Sequence, residues 1–243
     1  MILETYQLGD KHLEVTFRRN SRAKRATLRV DTVKERLLVT LPQRVPEDNA
    51  WELIRQAEAW IIKQLAQGIK PIPFAPDVDI PVFGIPHRIQ FQEFEDLSFE
   101  RLSVEQHQQS KTVIIKGYTP QVLPTLMMDW LWGQIQDYTT KRIQFFAQNI
   151  GKTVVEVNIK DLKSRWGSCS SRNNISLSWR LVFAPHKVVD YVCAHEVAHL
   201  REMNHSKHFW NIVAELCPDY KDHRLWLRQN SARLQSYGVP INE

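Results

Sequence analysis

The stretch His195-Glu196-Val197-Ala198-His199, continued by Leu200-Arg201-Glu202-Met203-Asn204-His205, decides how this chain is read. Pro185 suits the first turn of a helix, where its missing N–H has no partner to lose. From there Val188, Val189, Val192 and Leu200 recur at helical spacing. His195 and His199 are four apart and so lie one above the other on that helix. Two imidazoles on one face are a ready pair of zinc ligands, and Glu196 stands where a carboxylate reaches a water held there. A catalytic zinc takes a third protein ligand and leaves one position to water. His205, six residues past His199, is the candidate, provided that the chain leaves the helix near Met203-Asn204 and turns back. Asn tolerates a left-handed backbone, which makes Asn204 the expected helix end.

Other spacings weigh against His205 without displacing it. Metzincins share a third His at this distance, but they carry Gly where this chain has Glu202, and a Met-turn downstream. The four methionines are Met1, Met127, Met128 and Met203, so none comes after His205. A site taking a downstream Glu as third ligand would have to use Glu215, which sits beside an apolar helical run.

The flanking residues carry a family resemblance. Arg165-Trp166-Gly167-Ser168-Cys169-Ser170, Ile175-Ser176-Leu177-Ser178-Trp179-Arg180-Leu181, Asn204-His205-Ser206-Lys207 with Phe209-Trp210, Pro218-Asp219-Tyr220 and Trp226-Leu227 resemble the YgjP-like metal-dependent hydrolases. That family is related to the SprT and WLM groups of zincin-like metallopeptidases. The likeness is close from Lys163 to Leu227, and looser over the basic N-terminal strands and the helix around Trp60. It implies metal ligands His195, His199 and His205, with Glu196 catalytic.

Composition sets the frame. The chain has 243 residues, 43% hydrophobic and 24% charged, enough for one large domain or two small ones. Its formal net charge of +5 is compatible with polyanion binding without demanding it. Cys169, Cys193 and Cys217 are widely spaced, which argues against a disulfide framework or a zinc knuckle and fits a reducing cytosol. The N-terminus lacks the pattern of a signal peptide, and no stretch has the length and apolarity to span a bilayer. The expectation is a soluble cytoplasmic protein with no membrane partner.

Taken in order, residues 13–41 read as strands by alternation. Arg18-Arg19-Asn20-Ser21-Arg22-Ala23-Lys24-Arg25 joins the first two, with five cations in eight residues. It reads either as a solvated turn that blunts a strand edge or as a loop contacting phosphates or nucleic acid. A helix is expected from Asp48 to Gln67, stopped by Gly68. An extended, proline-rich connector should come next, from Ile69 to Pro86, then strands at Arg88–Gln92 and Thr112–Ile115, with Glu93–Ser110 unassigned. A long helix runs from Pro124 to Gln148, ended by Gly151. Strands at Val154–Ile159 and Ile175–Trp179 precede the His195 helix. Ser206 should cap the next helix, and the last runs from Asp219 to Ser236. No internal repeat is evident.

The fold expected is α+β: a β-rich N-terminal region with one helix (1–120), then a helical metallohydrolase domain (121–243). This order resembles the zincin scaffold, whose small antiparallel sheet lies over the metal helix and pairs its edge with extended substrate. The function expected is a zinc (Zn2+) hydrolase, first a metallopeptidase with Glu196 as general base. Two alternatives stay open. One is a nucleoside triphosphate pyrophosphatase using the same metal site, as labels within the family suggest. The other is a DNA-associated protease of the SprT type. Arg165 is either an oxyanion- or phosphate-holding rim residue or a structural ion pair. Asp190 is a candidate partner for a ligand imidazole.

Overall fold

A computed structural model describes residues 2–66, 68–94 and 101–239. The chain divides into two compact units, Met1–Pro71 and Ile72–Glu243. The strands between residues 79 and 117 therefore belong with the helical part, and the boundary drawn at residue 120 falls inside the second unit.

In the first unit, β1 (Ile2–Leu8), β2 (Lys11–Asn20), β3 (Thr27–Asp31) and β4 (Arg36–Pro42) form a sheet in the order β1-β2-β4-β3. The central pair β2 and β4 is parallel, and the two outer pairs are antiparallel. Period-two alternation sends Leu13, Val15 and Phe17 of β2 and Leu37, Val39 and Leu41 of β4 to one face. That face is covered by α1 (Asp48–Gln56) and α2 (Glu58–Ala66), through the fully buried Ala50, Ile54 and Ile61. Burying each isoleucine contributes about 1.5–3 kcal/mol. The single helix expected here is broken at Ala57, whose N–H is shared between Leu53 and Ile54 carbonyls. Gln67, the expected helix end, lies outside the described residues.

In the second unit, β5 (Asp79–Val82), β6 (Ile85–Glu93), β7 (Ser103–His107) and β8 (Thr112–Gly117) form a sheet in the order β5-β6-β8-β7. Its central pair β6 and β8 is again parallel, between antiparallel outer pairs. The two sheets thus share order and strand sense, a repeat invisible in the residues themselves. β7 lies in the segment the sequence leaves unassigned, of which residues 95–100 lie outside the described ones. The turn between β5 and β6 puts both Phe83 and Gly84 at positive φ, 48° and 79°, as a tight two-residue hairpin demands. The Phe83 ring stacks on His186 at 4.2 Å.

The long helix α3 (Leu123–Asn149) packs on this sheet with Leu123, Met127, Leu131 and Ile135. It also packs on β9 (Glu156–Lys160), on the short 3-10 helix Trp179–Phe183 and on the motif helix α4 (His186–Ala198). A polar clamp joins the two helices: the Tyr138 hydroxyl and the Arg142 Nε each donate to Asp190 Oδ1 at 2.8 Å. Asp190 is therefore turned toward α3, and it is not the imidazole partner anticipated from the sequence. The third sheet has the order β10-β11-β9, with β10 (Gly167–Cys169) and β11 (Asn174–Ser178) antiparallel and β9 parallel to β11. It is mixed rather than purely antiparallel, because the β10–β11 hairpin folds back beside β9 and brings β11 into the same direction. α5 (Lys207–Leu216) and α6 (Tyr220–Ser236) complete the layer on α4. Among the described residues no helix is long and apolar enough to cross a membrane.

Candidate metal centre

α4 stops at Ala198, well before the helix end expected at Met203-Asn204. His199 forms the helix cap in right-handed backbone, and tight turns through Leu200, Arg201 and Glu202 reverse the chain. Asn204 is not among the positive-φ residues. The turn is instead closed by Glu202. Its carbonyl accepts from His199 Nδ1 at 3.0 Å, and its carboxylate accepts from the Asn204 N–H at 3.3 Å. Ser206 caps α5, its hydroxyl accepting from the Phe209 N–H at 3.2 Å. That cap fixes the start of α5 and puts the fully buried Phe209 under the turn.

These elements bring together His195 from α4, His199 from its cap and His205 from the turn. Their potential ligand atoms all lie within 4.8 Å of one another, and His195 Nε2 is 3.1 Å from His205 Nε2. Two nitrogens on one tetrahedral zinc, each bonded at about 2.0–2.1 Å, stand roughly 3.3 Å apart, so this spacing fits the ion. The His199 tautomer fits as well. A carbonyl only accepts, so His199 carries its proton on Nδ1 and turns a lone pair out on Nε2. Phe209 forms an apolar floor, with ring centroids 4.9, 4.5 and 4.7 Å from His195, His199 and His205. Burial, then the neighbouring imidazoles, pull the His195 pKa down to about 3. Burial likewise lowers that of His199. Both rings are thereby held neutral, the form in which imidazole binds a metal. Glu215 is exposed on α5 and outside this cluster.

Glu196 is 4% exposed. Burial pushes its carboxyl up to about 8, against the pull of Arg165. A β-carbon at Gly167 would stand 2.7 Å from Glu196 Cγ and 2.8 Å from Cδ, so only glycine lets β10 pass over this side chain. Gly167 had no visible role in the sequence beyond the resemblance. A cleft of about 440 Å³ opens here, lined by the three histidines, Glu196, residues 165–169, Tyr191, Val192, Met203 and Leu227. Arg165 is exposed at its mouth and makes no ion pair among the described residues. Cys169 reaches the same cleft, while Cys193 is a buried core residue.

β10 is the edge of its sheet. The Ser178 N–H donates to the Trp166 carbonyl and the Ser170 N–H to that of Asn174. Trp166, Ser168 and Ser170 therefore turn their backbone groups toward β11. By alternation Gly167 and Cys169 turn theirs to the open edge.

A family model described as YgjP-like, metallopeptidase domain, matches residues 24–230. The chain belongs to the YgjP-like metallopeptidase family. Membership makes it a metal-dependent hydrolase, and YgjP-like chains share the region that holds the whole site described above. Among solved structures, the metallopeptidase zymogen abylysin of Pyrococcus abyssi is 23% identical, with a TM-score of 0.35 over 42% of this chain and 99% of that one. The zymogen jannalysin of Methanocaldococcus jannaschii is 20% identical, with a TM-score of 0.34 over 40% of this chain and 96% of that one. No curated protein matches this YgjP-like chain.

Proposed function

We propose that this YgjP-like protein is a zinc metallopeptidase of the cytosol in which His195, His199 and His205 hold the metal and Glu196 is the general base. The observation that carries the reading is the convergence of three imidazole nitrogens within 4.8 Å beside a buried carboxyl, under an open strand edge. Zinc at these imidazoles would supply a Lewis acid for the scissile carbonyl and lower the pKa of a water to about 7.

The residues of the chain do the remainder. The Glu196 carboxylate takes a proton from the attacking water and delivers it to the leaving nitrogen. Arg165, whose charge favours the ionised form of Glu196, stabilises the oxyanion from the cleft mouth. The outward backbone groups of Gly167 and Cys169 pair with an extended substrate as an added strand. Trp166, Tyr191, Val192 and Leu227 present apolar surface to a substrate side chain. Arg165 is the single Lys or Arg lining the cleft among the described residues, which favours a peptide over a nucleoside triphosphate.

The test is to offer zinc-loaded protein casein and a panel of nucleoside triphosphates. Cleavage of casein, lost by about 10²–10⁴-fold in Glu196→Gln with metal content unchanged, is the expected outcome. Pyrophosphate release without casein cleavage would replace the peptidase reading.

A further inference from the structure

The charge of this protein is unevenly distributed. Residues 1–71 contain 13 Lys and Arg against 9 Asp and Glu, a net +4, while the remaining 172 residues contain 19 against 18. Almost all of the net +5 therefore sits in the first unit.

Within that unit the cations divide by position. At the Asp31 end of the sheet acids lie among the cations, and apart from the exposed Lys34 the cations are paired. Arg36 pairs with Asp31 at 3.2 Å and with Glu14 at 3.6 Å, and Lys11 pairs with Glu35 at 3.0 Å. At the other end, residues 15–30 contain six cations and no acid. Only Arg19 is committed, to Glu47 and to the Val45 carbonyl. Arg18, Arg22, Lys24, Arg25 and Arg29 are exposed and make no ion pair among the described residues.

The backbone gathers these five. The register places Arg18 of β2 beside Thr40 of β4 and Thr40 beside Thr27 of β3, two residues before Arg29. Two strand spacings of about 4.8 Å and an offset of two residues, about 6.6 Å, separate them, so Arg18 and Arg29 project on one face about 12 Å apart. Alternation makes it the face opposite the buried row of Leu13, Val15 and Phe17. The β2–β3 turn adds Arg22, Lys24 and Arg25 at the same end. Asn20 shapes that turn: its side chain accepts from the Arg22 N–H at 2.9 Å and its carbonyl from the Ala23 N–H at 3.1 Å.

We propose that this end of the first sheet is a binding surface for the phosphodiester backbone of nucleic acid. The patch has cations around strand hydroxyls, and its one apolar side chain is the half-buried Leu38 beside Arg29, too little for an apolar centre. None of the exposed large apolar side chains among the described residues falls between Lys11 and Val45. A protein partner would call for an apolar core in the patch, and a lipid surface for an apolar side chain to insert. A partner of uniform, closely spaced negative charge calls for neither. Binding of this kind carries no sequence preference and is strongly salt-dependent. It is independent of whether the metal centre cleaves peptides.

The experiment uses the full-length protein and a fluorescein-labelled 20-nucleotide single-stranded DNA, titrated by anisotropy from 50 to 200 mM salt. Five backbone contacts on a single strand give a log–log slope near −3.5, and so a loss of about 100-fold in affinity across that range. The Gln variant at Arg18, Arg22, Lys24, Arg25 and Arg29 is expected to lose most of that slope. A control with five exposed cations of the second unit replaced by Gln, Lys141, Lys152, Lys160, Lys221 and Arg228, should keep it. Circular dichroism must show both variants folded, and if the five-fold variant is not, Arg22→Gln with Lys24→Gln in the turn alone should cost roughly 1.4 units of slope. Three results would overturn the proposal: no salt-dependent DNA binding by the wild type, equal losses in both five-fold variants, or binding of polyglutamate or anionic vesicles as tight as that of DNA.

Discussion

The two four-stranded sheets have the same strand order and the same strand senses, yet they serve different ends. The first is closed by α1 and α2 over a core that includes Leu37, Ile54 and Ile61, and it carries its charge outward. The second runs into the long helix α3, and its core residues Ile89 and Ile115 belong to one continuous cluster with Val189, Val197 and Phe209 around the histidines. One topology thus gives a self-contained unit in one case and a foundation for the candidate metal centre in the other. The difference lies in the helices after the last strand. The first sheet leads into a broken pair of nine-residue helices, the second into one unbroken helix of 27 residues.

A matched pair of core truncations tests that contrast most severely. Leu37→Ala and Ile115→Ala each empty a fully buried position, and each should cost about 2–5 kcal/mol. Ile115→Ala should lower zinc retention on heating, because its cluster reaches α4. Leu37→Ala should unfold the first unit and leave metal content unchanged. Equal loss of zinc in the two variants would break the comparison.

A smaller perturbation addresses the site alone. Gly167→Ala places a methyl group against the Glu196 side chain and forces the carboxyl aside. A displacement of about 1 Å can cost 10²-fold in rate, so casein cleavage should fall about that far. Metal content and melting temperature should stay near wild type, since the histidines are untouched.

The smallest expected effect is a pH dependence confined to the second unit. The His195 pKa is about 3 in the folded protein, against about 6.5 for an unperturbed imidazole. The unfolded chain therefore binds the proton more readily. The His195 contribution is fully present above pH 6.5 and declines as pH falls from there toward 3, while the buried Glu196 carboxyl, raised to about 8, contributes with the opposite sign as pH falls from 8 toward the ordinary carboxylate range. Denaturation of metal-free protein, monitored separately for each unit, should therefore show the second unit weakening mainly below about pH 4.5, where the Glu196 effect is complete. Zinc affinity should weaken in parallel, since protons compete for the same nitrogens.

Much of this was legible in the residues. Alternation marked β2 and β4, and helical spacing marked α3, because both periods are properties of the backbone. The four-residue spacing of His195 and His199 and the cap at Ser206 were equally local. What escaped the sequence was relational. The parallel pairing of β9 with β11 depends on where a hairpin folds, and no residue in β9 encodes it. Glu202 orients His199 through its carbonyl, a group every residue possesses, so its side chain gave no signal. Asp190 looked like a partner for an imidazole until α3 supplied Tyr138 and Arg142.

Metal content by elemental analysis bears most directly on the central claim, that three imidazoles from α4 and the turn after it form one catalytic metal centre. The wild type should hold about one zinc per chain. His195→Ala and His199→Ala should each hold none after dialysis, and His205→Ala only a small fraction. Full zinc retention in His205→Ala would contradict the three-histidine centre.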